Sequence, residues 1–140
     1  MRDREGILDH LRELEEAIID WERYQAISLE ELRSERDKRN MVLYALLVSI
    51  QAAIDIANHL IAEYSLKKPS TYRESFEILA EEGIIPKKLS KELADLAGFR
   101  NVLVHIYWRL NLEEVHGVLK NDLKNIKEFK AIVKKLLQEE

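Results

Sequence analysis

The sequence predicts an all-α protein, an antiparallel bundle of about five or six helices in a single domain over residues 1–140. Three observations predict it. Glycine and proline are scarce, at four and two residues, while Glu, Lys, Leu, Ile and Ala dominate, a composition that favours helix almost throughout. Apolar residues recur at steps of three and four over long stretches, the period of a helix with one buried face. Helix starts are marked where Ser28, Thr71 and Asn111 each precede a glutamate by three residues. With 46% hydrophobic content the chain is large enough to bury a real core.

In chain order, Ile7, Leu8, Leu11, Leu14, Ala17, Ile18 and Trp21 repeat at helical spacing and define a first helix from near Arg4 to near Arg23. His10 falls in this helix and reads as a surface or half-buried side chain. After a connector over 24–28, Ser28-Leu29-Glu30-Glu31 opens the next helix as a capping box. The charged run from Arg33 to Arg39 is either solvated helix surface or a break between a short helix and a long one. Its Arg36, Lys38 and Arg39 fit a solvated face, with phosphate binding as the functional alternative.

From near Asp37 to near Tyr64 the chain reads as one long helix and the spine of the core. Leu43, Leu46, Leu47, Ile50, Ile54, Ala57 and Ile61 form its apolar stripe, and Ala45, Ala52, Ala53 and Ala57 admit close neighbours. Gln51, Asp55, Asn58 and His59 make a polar run on the same helix. That run is either an ordinary exposed face or a support in which Asp55 hydrogen-bonds Arg100 or His105 across the bundle. A loop over 65–69 leads to the Thr71 capping box and a short helix stopped at Gly83.

Pro86 is placed to start the following helix, whose apolar spacing runs through Leu89, Leu93, Leu96, Ala97 and Val104. Gly98 lies inside it and allows Phe99 and Arg100 to pack close to a partner. That helix is expected to end after Trp108. Asn111 then caps a short helix carrying Val115 and Leu119, in which His116 reads as structural or exposed. Leu123, Ile126, Phe129, Ile132, Val133, Leu136 and Leu137 define a terminal helix with a basic outer face.

Composition also bounds function. The absence of cysteine removes disulfides and zinc-thiolate sites and fits a reducing, cytoplasmic setting. No signal peptide is evident in the charged stretch from Met1 to Gly6, and the apolar run from Met41 to Ile50 is too short to span a bilayer. The net charge of −4 argues against wholesale nucleic-acid binding but leaves room for a local basic cleft.

The chemistry concentrates in Arg100-Asn101-Val102-Leu103-Val104-His105-Ile106-Tyr107, where an arginine, an amide, a histidine and a tyrosine fall within eight residues. Arginine is a forked, permanently charged donor for phosphate oxygens, and histidine is the side-chain type suited to proton transfer near neutral pH. On a helix turning about 100° per residue, Arg100 and His105 lie about 140° apart. Arg100 and Tyr107 fall within about 20° of one face, and Asn101 pairs with His105. Converging all four needs a bend at the helix end or a second subunit. The same residues also fit a structural role, with Arg100 an exposed charge, His105 facing the helix dipole and Tyr107 a packed ring.

The string R-N-x-x-x-H-x-Y resembles the signature of the HEPN superfamily, specifically its HepT-like branch. The Ala53–His59 and Leu96–Asn101 runs resemble that branch too, and the likeness covers nearly the whole chain. The resemblance implies a homodimeric toxin of a toxin–antitoxin system, a metal-independent endoribonuclease with two R-x4-H motifs in one cleft. Arg100 would then hold the RNA phosphate, His105 would transfer protons and Asn101 would position either. It further implies an antitoxin that is an MntA-like nucleotidyltransferase, transferring AMP onto Tyr107. The competing reading is a non-catalytic helical dimer that docks a nucleotidyltransferase or a nucleotide. No cofactor is expected, since no metal-ligand spacing such as H-E-x-x-H and no phosphate-cradling glycine loop is present.

Overall fold

The computed structural model describes residues 3–139, so Met1, Arg2 and Glu140 lie outside the described residues, including the first two positions of the charged opening stretch. Seven α-helices and one 3-10 turn appear among the described residues. They are α1 (Arg4–Tyr24), α2 (Leu29–Ser34), α3 (Arg36–Glu63) and α4 (Tyr72–Glu81), then α5 (Lys87–His105), the turn Tyr107–Arg109, α6 (Leu112–Asn121) and α7 (Leu123–Gln138). The all-α expectation holds, with more helices than five or six because the segment opened by Ser28 closes as a separate helix.

The charged run proves to be a break. Glu35 adopts an extended conformation (φ −108°, ψ 98°) between α2 and α3. Lys38 and Arg39 are engaged in closing that break. Lys38 donates to Glu31 at 3.0 Å and to Glu35 at 3.3 Å. Arg39 Nη1 donates to the carbonyls of Leu32 and Arg33, which the end of α2 leaves open. The Lys38 ammonium holds the Glu31 carboxyl below the usual carboxylate range, and the Ser28 backbone N–H adds to the effect. That contribution is present above the ordinary carboxylate value and is lost as the pH falls through the lowered one.

α3 is the spine, touching all six other helices. Its buried set includes Val42, Leu46, Ile50, Ile54, Ile56, Leu60 and the small residues Ala45, Ala52, Ala53 and Ala57. Leu43 and Leu47, expected in the stripe, are only partly buried. The helix buries side chains around most of its circumference, so even the stripe expected to face two neighbours lacks Val42, Ile56 and Leu60. By length and composition α3 as a whole is long and apolar enough to cross a membrane, which the run over 41–50 alone is not; yet 56% of its apolar window is buried inside the molecule, as in a core helix.

The other helices clasp this spine. Trp21 of α1 is fully buried and its indole donates to the Leu119 carbonyl at 2.8 Å, tying α1 to α6. Phe76 of α4 meets Phe129 of α7 edge-to-face at 5.7 Å. Gly83 takes the left-handed conformation (φ 73°) that ends α4. Gly98 serves a different neighbour from the one expected: a Cβ there would stand 3.1 Å from an Arg73 guanidinium nitrogen. Arg73 crosses α5 at this point, donating to the Ala94 carbonyl and to Asp95.

α5 stops at His105, three residues short of the expected end at Trp108. Ile106, Tyr107 and Trp108 are all exposed, so no burial offsets the low helix propensity of a β-branched residue followed by two aromatics. The chain turns there, and Asn111 restarts it by accepting from the N–H groups of Glu113 and Glu114. Leu103, rather than Val104, carries the buried position in the last turn of α5.

Candidate active site

Arg100 leaves α5 half-buried and is held on three sides. Its Nε donates to Gln51 Oε1 of α3 at 2.7 Å, and Nη1 donates to Asn101 Oδ1 at 3.1 Å. Its guanidinium carbon lies 5.2 Å from the centroid of the Tyr72 ring, the first residue of α4. No hydrogen bond among the described residues engages Nη2, so the outer edge of the guanidinium is open to an anion. A planar cation held through Nε and Nη1, with Nη2 unengaged among the described residues, suits a phosphate oxygen.

The supporting role assigned to Asp55 needs correction in its route. Asp55 accepts from Gln51 Nε2 at 3.0 Å, and Gln51 in turn accepts from Arg100. The amide is the intermediary: a carboxylate bonded directly to the guanidinium would neutralise the charge, whereas a glutamine orients it and leaves the charge available. Asp55 Oδ2 also stands 3.8 Å from His10 Nδ1, and the His10 and His59 rings are 5.1 Å apart. His59 in turn bonds the Asp3 carboxylate. His116 Nε2 donates to the Ile27 carbonyl at 3.0 Å, because a carbonyl only accepts, and the residue is structural.

His105 occupies the last position of α5 and is exposed, as are Asn101 and Tyr107. No hydrogen bond joins His105 or Tyr107 to Arg100 within the chain. The bend at the helix end thus forms no hydrogen bond linking His105 or Tyr107 to the Arg100–Asn101 pair among the described residues. Tyr107 and Trp108, 68% and 66% exposed, meet edge-to-face at 5.5 Å and project with Ile106 as an apolar ridge beside His105. Among the described residues no group of three or more His, Asp or Glu side chains is disposed to hold a metal ion.

Two contributors escaped the sequence reading. Gln51 stood in the polar run four residues before Asp55, which puts both on one helical face, but nothing marked it as the nearer to Arg100. Tyr72 lies inside the Thr71 capping box, on a helix whose placement beside α5 no local pattern reveals. Gln51→Leu should free the Arg100 side chain while leaving the fold in place. Since a hydrogen bond from a charged donor is worth about 1.5 kcal/mol or more, the Arg100 Nε proton should then exchange with water about tenfold faster by NMR. An unchanged exchange rate would mean that Gln51 does not restrain the arginine.

An all-helical scaffold that fixes an arginine in mid-helix and presents a histidine five residues later at the helix end defines a class of helical proteins carrying an R-x4-H surface. The chain belongs to the ribonuclease HepT-like family, whose model matches residues 14–133. It is 38% identical over 84 residues to the mRNA nuclease HepT of Shewanella oneidensis, covering 60% of this chain and 63% of that protein. It is 33% identical over 100 residues to the tRNA nuclease HepT of Aphanizomenon flos-aquae, covering 71% of this chain and 61% of that one. The matched stretches thus span somewhat under two thirds of these two relatives' own length. Among solved structures, the tri-AMPylated Shewanella oneidensis HEPN toxin in complex with MNT antitoxin superposes with a TM-score of 0.83 at 28% identity, over 92% of this chain and 96% of that one. YutE of Bacillus subtilis shares the fold, with a TM-score of 0.85 at 19% identity, over 97% of this chain and 91% of that one.

Proposed function

We propose that this protein is the toxin of a toxin–antitoxin pair, a metal-independent endoribonuclease acting in the cytoplasm as a homodimer and silenced by an MntA-like nucleotidyltransferase through AMP transfer to Tyr107. The observation that carries the reading is the restrained Arg100, with Nη2 unengaged among the described residues, five residues before an exposed His105 on the same helix. Its membership of a ribonuclease family supplies the substrate class. In the reaction a base takes the proton of a ribose 2′-hydroxyl, and the 2′ oxygen attacks the adjacent phosphorus. The bond from phosphorus to the 5′ oxygen breaks, and an acid protonates that leaving oxygen. The products are a 2′,3′-cyclic phosphate and a 5′-hydroxyl. Arg100 stabilises the charge that builds on the phosphoryl oxygens, and Gln51 keeps it aimed, with Asp55 behind. Asn101 positions the phosphate or the histidine.

A second copy answers the separation of the residues along the helix. Two-fold symmetry would supply two Arg100 and two His105 side chains to one cleft, one histidine serving as base and its mate as acid. Light scattering at micromolar concentration should give a dimer, and a strict monomer would oppose this arrangement. Cleavage of an end-labelled RNA should proceed undiminished in EDTA and leave 2′,3′-cyclic phosphate ends. Loss of cleavage in EDTA, restored by magnesium or manganese, would sink the metal-independent mechanism.

A further inference from the structure

Beside Arg100 lies a cavity of about 630 Å³, bounded by the end of α3, the loop over 65–71 and the first turn of α4. We propose that this cavity is a nucleobase subsite: it takes the base of a nucleotide whose phosphate rests on Arg100, and thereby sets the base preference of cleavage. The inference rests on the ribonuclease reading and adds to it a recognition element.

Three observations support it. The cavity shares its wall with the arginine, because Asn101 and Tyr72 both line it while Asn101 accepts from Arg100 and the Tyr72 ring lies under the guanidinium. A phosphate on the open edge of Arg100 and a ring in the cavity would therefore be neighbours across one pair of side chains. The volume lies in the range of small-ligand sites, about 300–1,000 Å³, and holds a base with its ribose.

The lining also has the chemistry of a base. Ile61, Leu66 and Pro69 give apolar surface for a flat ring, and Asn58, Thr71 and Asn101 give hydrogen-bonding groups for its edge. Asn58 is held in one orientation: its Oδ1 accepts from the hydroxyl of fully buried Ser75 at 2.7 Å. With the acceptor so committed, the Nδ2 donors have no partner among the described residues and are available to a ring nitrogen or carbonyl. Tyr72 stays 38% exposed although Arg100 lies over it, which leaves aromatic surface for stacking. Exposed Lys68 on the same lining can neutralise an adjoining phosphate.

The test uses the full chain and two variants. Ala62→Trp fills the cavity from an exposed position on α3, where the larger side chain does not threaten folding. Asn58→Leu removes the donors. A random-sequence RNA pool is digested and the cut ends are sequenced. Wild type should show a preference of roughly tenfold or more at one position beside the cut, and both variants should flatten it. A wild type without preference, or a preference that survives both variants, overturns the proposal. If wild type leaves all RNA uncut, the nuclease reading fails separately, and titration with the four nucleoside 5′-monophosphates then decides the subsite. Base-dependent NMR shifts of the Asn58 and Asn101 side-chain amides, abolished in Ala62→Trp, uphold a nucleotide site that takes free nucleotides. Shifts identical for all four bases, or reproduced by inorganic phosphate, overturn it.

Discussion

Arg100→Ala and His105→Ala are each expected to lower RNA cleavage by about 10²–10⁴-fold, to the background of most assays. The size follows from what each side chain supplies. Without Arg100 the site loses the restrained, forked cation that meets the charge of the pentavalent phosphoryl group. Without His105 the helix end offers no group able to exchange protons near neutral pH. Neither loss should unfold the protein, because Arg100 is half-buried and His105 exposed, and the core is built from other positions. Circular dichroism should stay unchanged and the melting temperature should move by about 3 °C or less. Arg100→Lys makes a sharper control. A lysine ammonium is a compact point charge, so it cannot both donate sideways to Gln51 and present a flat two-pronged edge to phosphate. Cleavage should therefore fall nearly as far as in the alanine variant. Retention of full activity in Arg100→Lys would reduce the arginine to a general positive charge.

The second large effect is expected at Tyr107. Co-expression with the cognate nucleotidyltransferase should add one or more AMP units to its hydroxyl and suppress toxicity, while Tyr107→Phe should keep its fold and nuclease and escape suppression. The hydroxyl group is well presented, since the residue is 68% exposed in a turn just past His105. An attached AMP places a bulky anion beside the proposed cleft, where it competes with RNA for Arg100 and repels the substrate backbone. Inhibition by occupancy and charge needs no refolding. Intact-mass and peptide spectra of the co-expressed protein are the measurement. An unmodified Tyr107 in a fully neutralised complex would mean that the partner masks the site sterically, and AMP transfer would have to be abandoned.

Much of the fold was legible because it is written in local patterns. Ser28, Thr71 and Asn111 cap the helices they were expected to cap, and the first helix runs within a residue of its expected ends. Two misreadings share one cause. The extension of α5 to Trp108 and the placing of Leu43 and Leu47 in the stripe both treat apolar residues as buried, whereas burial depends on what lies opposite. For the site, Arg100, Asn101, His105 and Tyr107 could be singled out because they sit together in the chain and carry a resemblance. Gln51 and Tyr72 could not, because each meets Arg100 only after α3 and α4 have docked on α5. Tertiary partners of a named residue are what one sequence withholds.

The short turn over Tyr107–Arg109 contains no buried residue. Its chemistry is accordingly decoupled from the energetics of the core. Adding a nucleotide there disturbs no contact of the buried core, since the ring that Tyr107 meets, Trp108, is itself exposed. Modified and unmodified protein should unfold at nearly the same temperature and denaturant concentration. A thermal-shift or proteolysis screen would therefore pass over the silenced form as though nothing had happened to it, and only mass, charge or substrate turnover would tell the two apart.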